Sequence, residues 1–260
     1  MRQGAVYVAT GRKYIEEALQ SMASLKAATS SVHVTLFSDE EVKSPWFDQL
    51  VRIDAAEQRD ETFRKAASAL PMGMINKVYY MDRSPYDRTL FLDTDTFVVN
   101  DISDMFPLLD RFDIAVTHAP HRSLKALKVP LEDIPSSFPV LNTGVILFRK
   151  SEKLSAFFSE WLRLYPDVKY VGCNDQAPFR EALYHSDLRV ATLTPEYNYR
   201  FGKRLAINGV LKILHGRHPN LDQVAKQADA FVARGIAPPL VSPLGPSMWS
   251  KVRKRLVSSH

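Results

Sequence analysis

Two aspartates in the middle of the chain, Asp93 and Asp95, are the residues whose type and spacing best fit chemistry. They follow the apolar run Thr89–Leu92, which has the composition of a buried strand. In an extended backbone, residues two apart face the same side, with Cα atoms about 7 Å apart. Two such carboxylates can share one hard cation and leave positions open for phosphate oxygens. An acidic turn that merely ends a strand is the alternative.

A histidine, His215, follows a second apolar run, Leu211–Leu214, and is therefore expected at a strand end as well. Imidazole suits a transition-type ion such as Mn²⁺ better than Mg²⁺. With the two aspartates, His215 would form a metal site for Mn²⁺ or Mg²⁺. The next residues, Gly216-Arg217-His218, add flexible backbone and cations that suit a diphosphate. A structural histidine is the alternative.

Polar residues also stand beside other predicted elements. Asn142-Thr143-Gly144 precedes an apolar run that is expected to be a buried strand, and Asn174-Asp175-Gln176 opens a predicted helix. Helix capping by Asn174 or Asp175 would explain the second group without catalysis. Lys77 lies in a helical stretch before the aspartate strand, where a solvated surface lysine is the alternative.

Strand and helix patterns alternate around these residues. Helical spacing of apolar residues predicts helices after the turn at Thr10-Gly11, from about 60 to 81 with a break at Pro71, and at 154–164. The alternation favours βαβ units and a mixed, mainly parallel sheet, whose carboxyl edge would carry the aspartates. Residues 118–139 are expected to be a long loop. Strands are predicted at 5–9, 32–37, 50–53, 89–92, 113–116, 144–148, 189–193 and 211–214.

The composition is that of an ordinary globular protein. The 260 residues are 45% hydrophobic and 24% charged, enough for one good core. The single cysteine, Cys173, forms no internal disulfide and suits a reducing compartment. We see neither a signal-peptide pattern nor an apolar stretch of about 20 residues, so we expect a cytoplasmic location. A net charge of +5 fits anionic substrates, nucleic acid or anionic membrane without choosing among them.

Taken in chain order, these motifs resemble the GT-A glycosyltransferases of the glycogenin and bacterial lipopolysaccharide galactosyltransferase type, glycosyltransferase family 8 or close kin. The resemblance covers residues 4–220. After its histidine this family often has a glycine and then a lysine, where this chain has Arg217 and His218. The resembling segments are the opening 8–14, the Asp-x-Asp strand 88–99 with its continuation 101–106, the strand 141–148, the Asp-Gln element 174–176, the aromatic loop 195–199 and the histidine strand 214–216.

The resemblance implies an α/β chain with the GT-A fold, a Rossmann-like fold of nucleotide-diphospho-sugar transferases. We expect it over residues 1–225, followed by a C-terminal appendage, 226–260, with a Pro-rich linker and a basic tail. The implied activity is metal-dependent, retaining hexosyl transfer from a nucleoside diphosphate sugar, above all a UDP-sugar. The acceptor would be a glycan or a lipid-linked glycan.

The resemblance also implies a role for each site residue. Asp175 would stabilise an oxocarbenium-like transition state or act as a nucleophile, and we favour the electrostatic role. The expected catalytic residues are Asp175, Gln176 and Asn142. The expected metal ligands are Asp93, Asp95 and His215. The expected donor-binding residues are Thr10, Gly11, Tyr14, Lys77, Asp93, Thr94, Asp95, Asn142, Gly216, Arg217 and His218.

Three other classes share parts of this pattern. A sugar-phosphate nucleotidyltransferase usually carries Gly-x-Gly-Thr-Arg after its first strand, where this chain reads Thr10-Gly11-Arg12-Lys13. A non-catalytic nucleotide-sugar or glycan-binding module would not need the intact acidic residues. A nucleic-acid binder is suggested only by charge, since no nucleic-acid motif is found, and we expect no such partner.

The basic tail carries a prediction of its own. Within residues 248–256, apolar side chains fall on one side of a helix and cations occupy the rest. This pattern fits peripheral contact with the inner face of an anionic membrane. A tail helix packed on its own domain is the alternative.

Overall fold

A computed structural model gives the fold over most of the chain. Several expectations lie outside the described residues: the helix between 62 and 71, most of the loop at 118–139, and nearly all of the appendage with its segment 248–256. The described residues are 1–53, 61, 72–120, 134–167, 170, 174–200, 207, 209–218, 220–221 and 223–226.

The described elements follow the predicted alternation of strands and helices. In chain order they are β1 (Gln3–Ala9), α1 (Arg12–Ala28), β2 (His33–Ser38), β3 (Gln49–Arg52), α2 (Met72–Asp82), β4 (Arg88–Leu92), β5 (Thr96–Val98), a 3-10 helix (Ser103–Asp110), β6 (Ile114–His118), β7 (Leu141–Arg149), α3 (Glu152–Leu164), α4 (Gln176–Tyr184), β8 (Val190–Leu193), a 3-10 turn (Pro195–Tyr197), β9 (Tyr199–Arg200) and β10 (Ile213–His215).

Seven of the described strands form one sheet in the order β3-β2-β1-β4-β7-β6-β8. The neighbours β3, β2, β1 and β4 are parallel, and so are β6 and β8. Strand β7 runs antiparallel to β4 and β6, its partners on either side. This confirms the mixed, mainly parallel sheet.

Helices cover both faces of this sheet because its strands are apolar on both faces. On β1, Ala5 and Tyr7 join the core under α1, whereas Val6 joins the opposite core. The α1 side includes Ile15 and Met22 at helical spacing, together with the 3-10 helix. Helices α2, α3 and α4 supply the other side. The result is a three-layer α/β/α domain, the Rossmann-like arrangement that the sequence predicted.

Strand β7 begins earlier than predicted, so Asn142-Thr143-Gly144 lie inside a strand and not before it. Its pairing with β6 shifts register, because Val116 faces Ile146 while Thr117 faces Asn142. On its other side β7 continues its pairing with β4, since the Gly144 carbonyl accepts the N–H of Asp93 at 2.8 Å. The start of β7 therefore lies beside the Asp-x-Asp turn.

A second, three-stranded sheet in the order β5-β10-β9 lies next to that turn. Strand β10 is antiparallel to β5 and parallel to β9. It starts at Ile213, later than predicted, and includes His215 as its last residue. His215 pairs in register with Thr96 on β5. This pairing brings His215 beside the aspartates despite its distance along the chain.

Candidate active site

A cavity of about 640 Å³ opens where β1 and β4 end, the edge at which parallel α/β sheets bind ligands. That volume lies in the range of ligand sites, about 300–1,000 Å³. Gly11, Gly216 and His218 are outside its described lining, and His218 Nδ1 accepts the N–H of Asn220 instead. The expected site residues that line the cavity are Thr10, Tyr14, Lys77, Asp93, Thr94, Asp95, Asn142, Asp175, Gln176, His215 and Arg217.

Asp93, Asp95 and His215 form a cluster on the cavity wall. His215 Nε2 lies 3.3 Å from Asp95 Oδ1 and 3.7 Å from Asp93 Oδ2. One ligand atom from each residue can be chosen so that all three lie within 4.8 Å of one another. Two carboxylates and one imidazole at this spacing fit a single divalent cation of the transition series.

The backbone holds this cluster from both sides. The carbonyl of Asp93 accepts the hydroxyl of Thr96 at 2.8 Å, and the carbonyl of Asp95 accepts the N–H of Gly216 at 2.8 Å. Gly216 has φ 129°, a backbone conformation that favours glycine. The turn between β4 and β5 is therefore fixed to the end of β10.

The two aspartates have different electrostatic surroundings. Burial raises the pKa of Asp93, although the charge of Lys77 acts in the opposite direction. Burial also acts to raise the pKa of Asp95, but the contact with His215 and the charge of Arg217 outweigh it and lower that pKa. In this cluster Asp95 is therefore stabilised as an anion, whereas the charge of Asp93 is one that a bound cation would compensate.

Lys77 is buried and bridges two carboxylates. Its Nζ lies 2.9 Å from Asp93 Oδ1 and 2.9 Å from Asp175 Oδ2. Burial acts to lower the pKa of Lys77, yet the charges of Asp175 and Asp93 outweigh it and raise that pKa. The surface-lysine alternative is wrong, since Lys77 is only 8% exposed.

Asp175 stands at the amino end of α4 but does not cap the helix with its side chain. Its Oδ2 accepts the hydroxyl of Thr143 at 2.6 Å as well as the Lys77 ammonium. Burial acts to raise the pKa of Asp175, and the Lys77 charge and Thr143 hydroxyl together lower it. The carboxylate is thus held charged and pointed into the cavity. Asn174, in contrast, accepts the N–H of Gln176 at 3.2 Å.

Two arginines flank Asp95 on the side away from Lys77. Arg217 Nη1 and Arg200 Nη1 lie 3.7 Å and 3.8 Å from Asp95 Oδ2. Arg217 is fixed by Glu17 on α1, with contacts of 2.7 Å and 3.0 Å. Three cations, counting Lys77, therefore line the cavity.

The turn after β1 is shaped by a residue that sequence reasoning did not single out. The carboxylate of Asp39, just past β2, accepts the N–H of Gly11 at 2.9 Å and 3.1 Å. Gly11 has φ 83°, which requires glycine or strain. The turn places Thr10 and Tyr14 on the cavity wall.

Glu17, Thr143, Asn198 and Arg200 contact the site without having been assigned roles from the sequence. Glu17 lies on α1, which the sequence predicted, but nothing local shows that α1 approaches β10. Asn198 and Arg200 belong to a loop and a two-residue strand, which are too short to give a periodic signal. In the family resemblance, the aromatic loop 195–199 includes Asn198 and ends next to Arg200.

The three-layer fold is the GT-A arrangement, and solved glycosyltransferases share it. Mouse xyloside xylosyltransferase 1 is 16% identical, with a TM-score of 0.58 over 84% of this chain and 98% of that chain. Galactosyltransferase LgtC, solved with donor and acceptor sugar analogs, is 14% identical, with a TM-score of 0.56 over 95% of this chain and 99% of that chain. GlyE of Streptococcus pneumoniae TIGR4 is 16% identical, with a TM-score of 0.55 over 93% of this chain and 65% of that chain.

Such low identities show the shared fold, and a sequence profile shows the family. The profile of Glycosyl transferase family 8 matches residues 5–208, and the chain belongs to that family. It is therefore a glycosyltransferase, as the motif order indicated. The match ends before His215, and it is the distance between His215 and Asp95 in the structure that shows this histidine beside the aspartates. No curated protein sequence matches the chain.

Proposed function

We propose that this glycosyltransferase moves a sugar from a nucleoside diphosphate sugar, a UDP-sugar in the first instance, to a glycan or lipid-linked glycan. Asp93, Asp95 and His215 would hold the divalent cation that the donor needs. The observation that carries this proposal is their convergence, with ligand atoms within 4.8 Å, on the wall of a nucleotide-sized cavity. Mn²⁺ is favoured over Mg²⁺ because one ligand is an imidazole.

The charges around the cavity support a diphosphate as the ligand. The described lining contains three arginine and lysine cations and three carboxylates, so its formal charges cancel. A divalent cation would then match the two negative charges of a nucleoside diphosphate sugar. Bound there, the cation would act as a Lewis acid on the diphosphate. Arg217 and Arg200 would donate to diphosphate oxygens, and Tyr14 and Thr10 would contact the nucleoside.

Asp175 is proposed to act on the sugar, beside Gln176 and Asn142. Both the Lys77 ammonium and the Thr143 hydroxyl already bind its Oδ2, which weakens that oxygen as a nucleophile. A fixed carboxylate of this kind can stabilise positive charge that develops on the sugar. Retention of anomeric configuration rests on the family resemblance. NMR of the first-formed product would reveal the configuration.

The acceptor of this chain is proposed to be a sugar, and the sugar analogs bound by LgtC support this proposal. That structure contains analogs of both the donor and the acceptor sugar. In this chain the acceptor would approach near Gln176 and Asn174, which line the wall beside Asp175. The sugar and nucleotide are best identified with a panel of nucleotide sugars scored by Mn²⁺-dependent hydrolysis.

Calorimetry of nucleoside diphosphate binding tests the cation bridge. With Mn²⁺ we expect measurable affinity that EDTA abolishes. Asp95→Asn keeps the shape of the side chain but loses its charge, so it should weaken binding by more than the about 10–100-fold typical of residues that only support metal ligands. Asp110→Asn, at an exposed aspartate paired with Arg88, is the matched control and should bind like wild type. Equal affinity with and without EDTA would contradict the proposal.

A further inference from the structure

The ring of His215 contacts a chain of buried amides as well as the aspartates. His215 Nδ1 lies 2.8 Å from Asn198 Oδ1, and Asn198 Nδ2 lies 3.1 Å from Asn142 Oδ1. Asn142 Oδ1 also accepts the backbone N–H of Gly144 at 2.9 Å. Asn142, Asn198 and His215 are each at most 4% exposed. We call the Gly144 N–H, Asn142 and Asn198 the amide relay.

The Gly144 N–H determines which group donates and which accepts at each hydrogen bond of the relay. A backbone N–H can only donate, so Asn142 must turn its carbonyl oxygen toward Gly144. The same oxygen then faces Asn198, which must offer its NH₂ group. Asn198 is left with its carbonyl oxygen toward His215, so Nδ1 of the ring must carry a proton. Each hydrogen bond fixes the orientation of the next group.

We infer that the amide relay makes Asn198 a positioning residue: it holds the proton of His215 on Nδ1 and keeps Nε2 free to bind the cation. A neutral ring in this state points an Nε2 lone pair at Asp93 and Asp95, an arrangement that repels unless a cation lies between them. Metal-binding histidines commonly use their second ring nitrogen in this way. The inference rests on the proposed metal-dependent function.

The relay also crosses between the two sheets. Gly144 and Asn142 lie on β7 of the main sheet, whereas Asn198 adjoins β9 and His215 ends β10 in the second sheet. The hydrogen bonds therefore fix the ring in orientation and in position relative to the Asp-x-Asp turn. Asn142, expected from the sequence to face the sugar, has its side-chain oxygen committed to this relay.

Two variants separate the hydrogen bonds from simple packing. Asn198→Leu has a similar volume but cannot accept from Nδ1, so we expect Mn²⁺ affinity to fall about 10–100-fold. Asn100→Leu, which removes a 2.8 Å bond to the Leu211 carbonyl beside β10, is the matched control for disturbing the second sheet.

The measurements are calorimetry with Mn²⁺ alone and ¹⁵N NMR of histidine rings with Zn²⁺ as a diamagnetic substitute. The His215 signals are assigned by their loss in His215→Gln. In wild type we expect a protonated Nδ1 and a metal-bound Nε2, and thermal unfolding confirms that each variant is folded. Metal on Nδ1, or wild-type Mn²⁺ affinity in folded Asn198→Leu, would overturn the inference. Failure of wild type to bind Mn²⁺ would instead refute the proposed metal-dependent function, while the ring proton in the metal-free protein would still report on the relay.

Discussion

The absence of a side chain at position 144 leaves the space that the ring of His215 occupies. A Cβ atom on Gly144 would lie 2.0 Å from His215 Cε1 and 2.8 Å from Asp93 Oδ2, distances that real Cβ atoms do not show. The ring therefore packs directly on the backbone of β7. Glycine is needed here for close approach, since the backbone of Gly144 does not have a positive φ.

Gly144→Ala should therefore displace His215. We expect overpacking to reduce the unfolding free energy by about 1–3 kcal/mol. Mn²⁺ affinity should fall about 10–100-fold, because the ring moves away from the aspartates. Gly73→Ala is the control, since its Cβ would meet only Thr10 Oγ1, at 3.9 Å. Calorimetry and urea unfolding measure both quantities, and unchanged Mn²⁺ affinity in Gly144→Ala would show that the ring does not need this space.

Asp175→Asn should affect turnover far more than donor binding. The amide can still accept from Thr143, but it loses the charge that would stabilise the transition state. We expect kcat to fall about 100-fold or more, with donor affinity changed only a few-fold. Thr143→Val, which removes the 2.6 Å hydrogen bond and keeps the carboxylate, should have the smaller effect. A large affinity loss with unchanged kcat would mean that Asp175 binds ground state and transition state alike.

At the scale of elements, the sequence predicted what local patterns control. Apolar runs located the main strands, and the end of β4 placed Asp93 and Asp95 at the ligand edge. It predicted β10 as a strand but not the second sheet that β10 forms with β5 and β9, since those two strands span only three and two residues. Nor did it predict the bulge in β7, which depends on pairing with two neighbours at once. The burial of Lys77 was not predicted either, because it depends on α2 packing over two carboxylates that are far from it in the sequence.

The edge of the main sheet opposite the cavity is held by a buried carboxylate. Asp113, before β6, contacts Arg149 Nη2 at 2.8 Å and the Arg189 side chain at 3.0 Å and 3.1 Å. It also accepts the N–H of Arg189 at 2.9 Å. The hydrogen bonds and charge of Arg189, with the hydrogen bond of Arg149, lower the pKa of Asp113, although burial acts to raise it. Strands β6, β7 and β8 meet at this residue.

Asp113→Asn should lower stability in a pH-dependent way. The folded pKa lies below the unfolded value, so the carboxylate contributes stability above about pH 4 and loses it as the pH falls further. At pH 7 we expect the variant to lose about 1–3 kcal/mol of unfolding free energy, and less at about pH 3. Asp110→Asn, at an exposed ion pair, should lose much less. Urea unfolding across this range measures the difference, and a constant deficit would contradict the assignment.

At the scale of the whole molecule, no described helix is long and apolar enough to cross a membrane. Membrane contact through residues 248–256 is a separate proposal about a segment outside the described residues. Each cation near anionic lipid contributes about 1 kcal/mol, so Lys251, Arg253, Lys254 and Arg255 together could hold the protein at a surface reversibly.

Vesicle co-sedimentation tests that proposal. Full-length protein should bind anionic vesicles at low salt and ignore neutral ones. Deleting residues 247–260 should abolish binding while sparing donor hydrolysis. Replacing the four cations by glutamine, with Trp249 retained, separates charge from apolar contact. Full-length protein that ignores anionic vesicles, or a truncation that unfolds, would favour a tail packed on its own domain.

The late position of β10 has a consequence for biosynthesis. The seven described strands of the main sheet are complete by Leu193, whereas His215 follows Asp95 by 120 residues. At about 5–20 residues per second, a ribosome makes the 22 residues between Leu193 and His215 in about 1–4 s. During this time the emerging chain can fold its main sheet around two aspartates that still lack their histidine. A purified chain that ends at residue 210 should therefore have its central sheet but not bind Mn²⁺, so that cation loading marks the end of folding and does not start it.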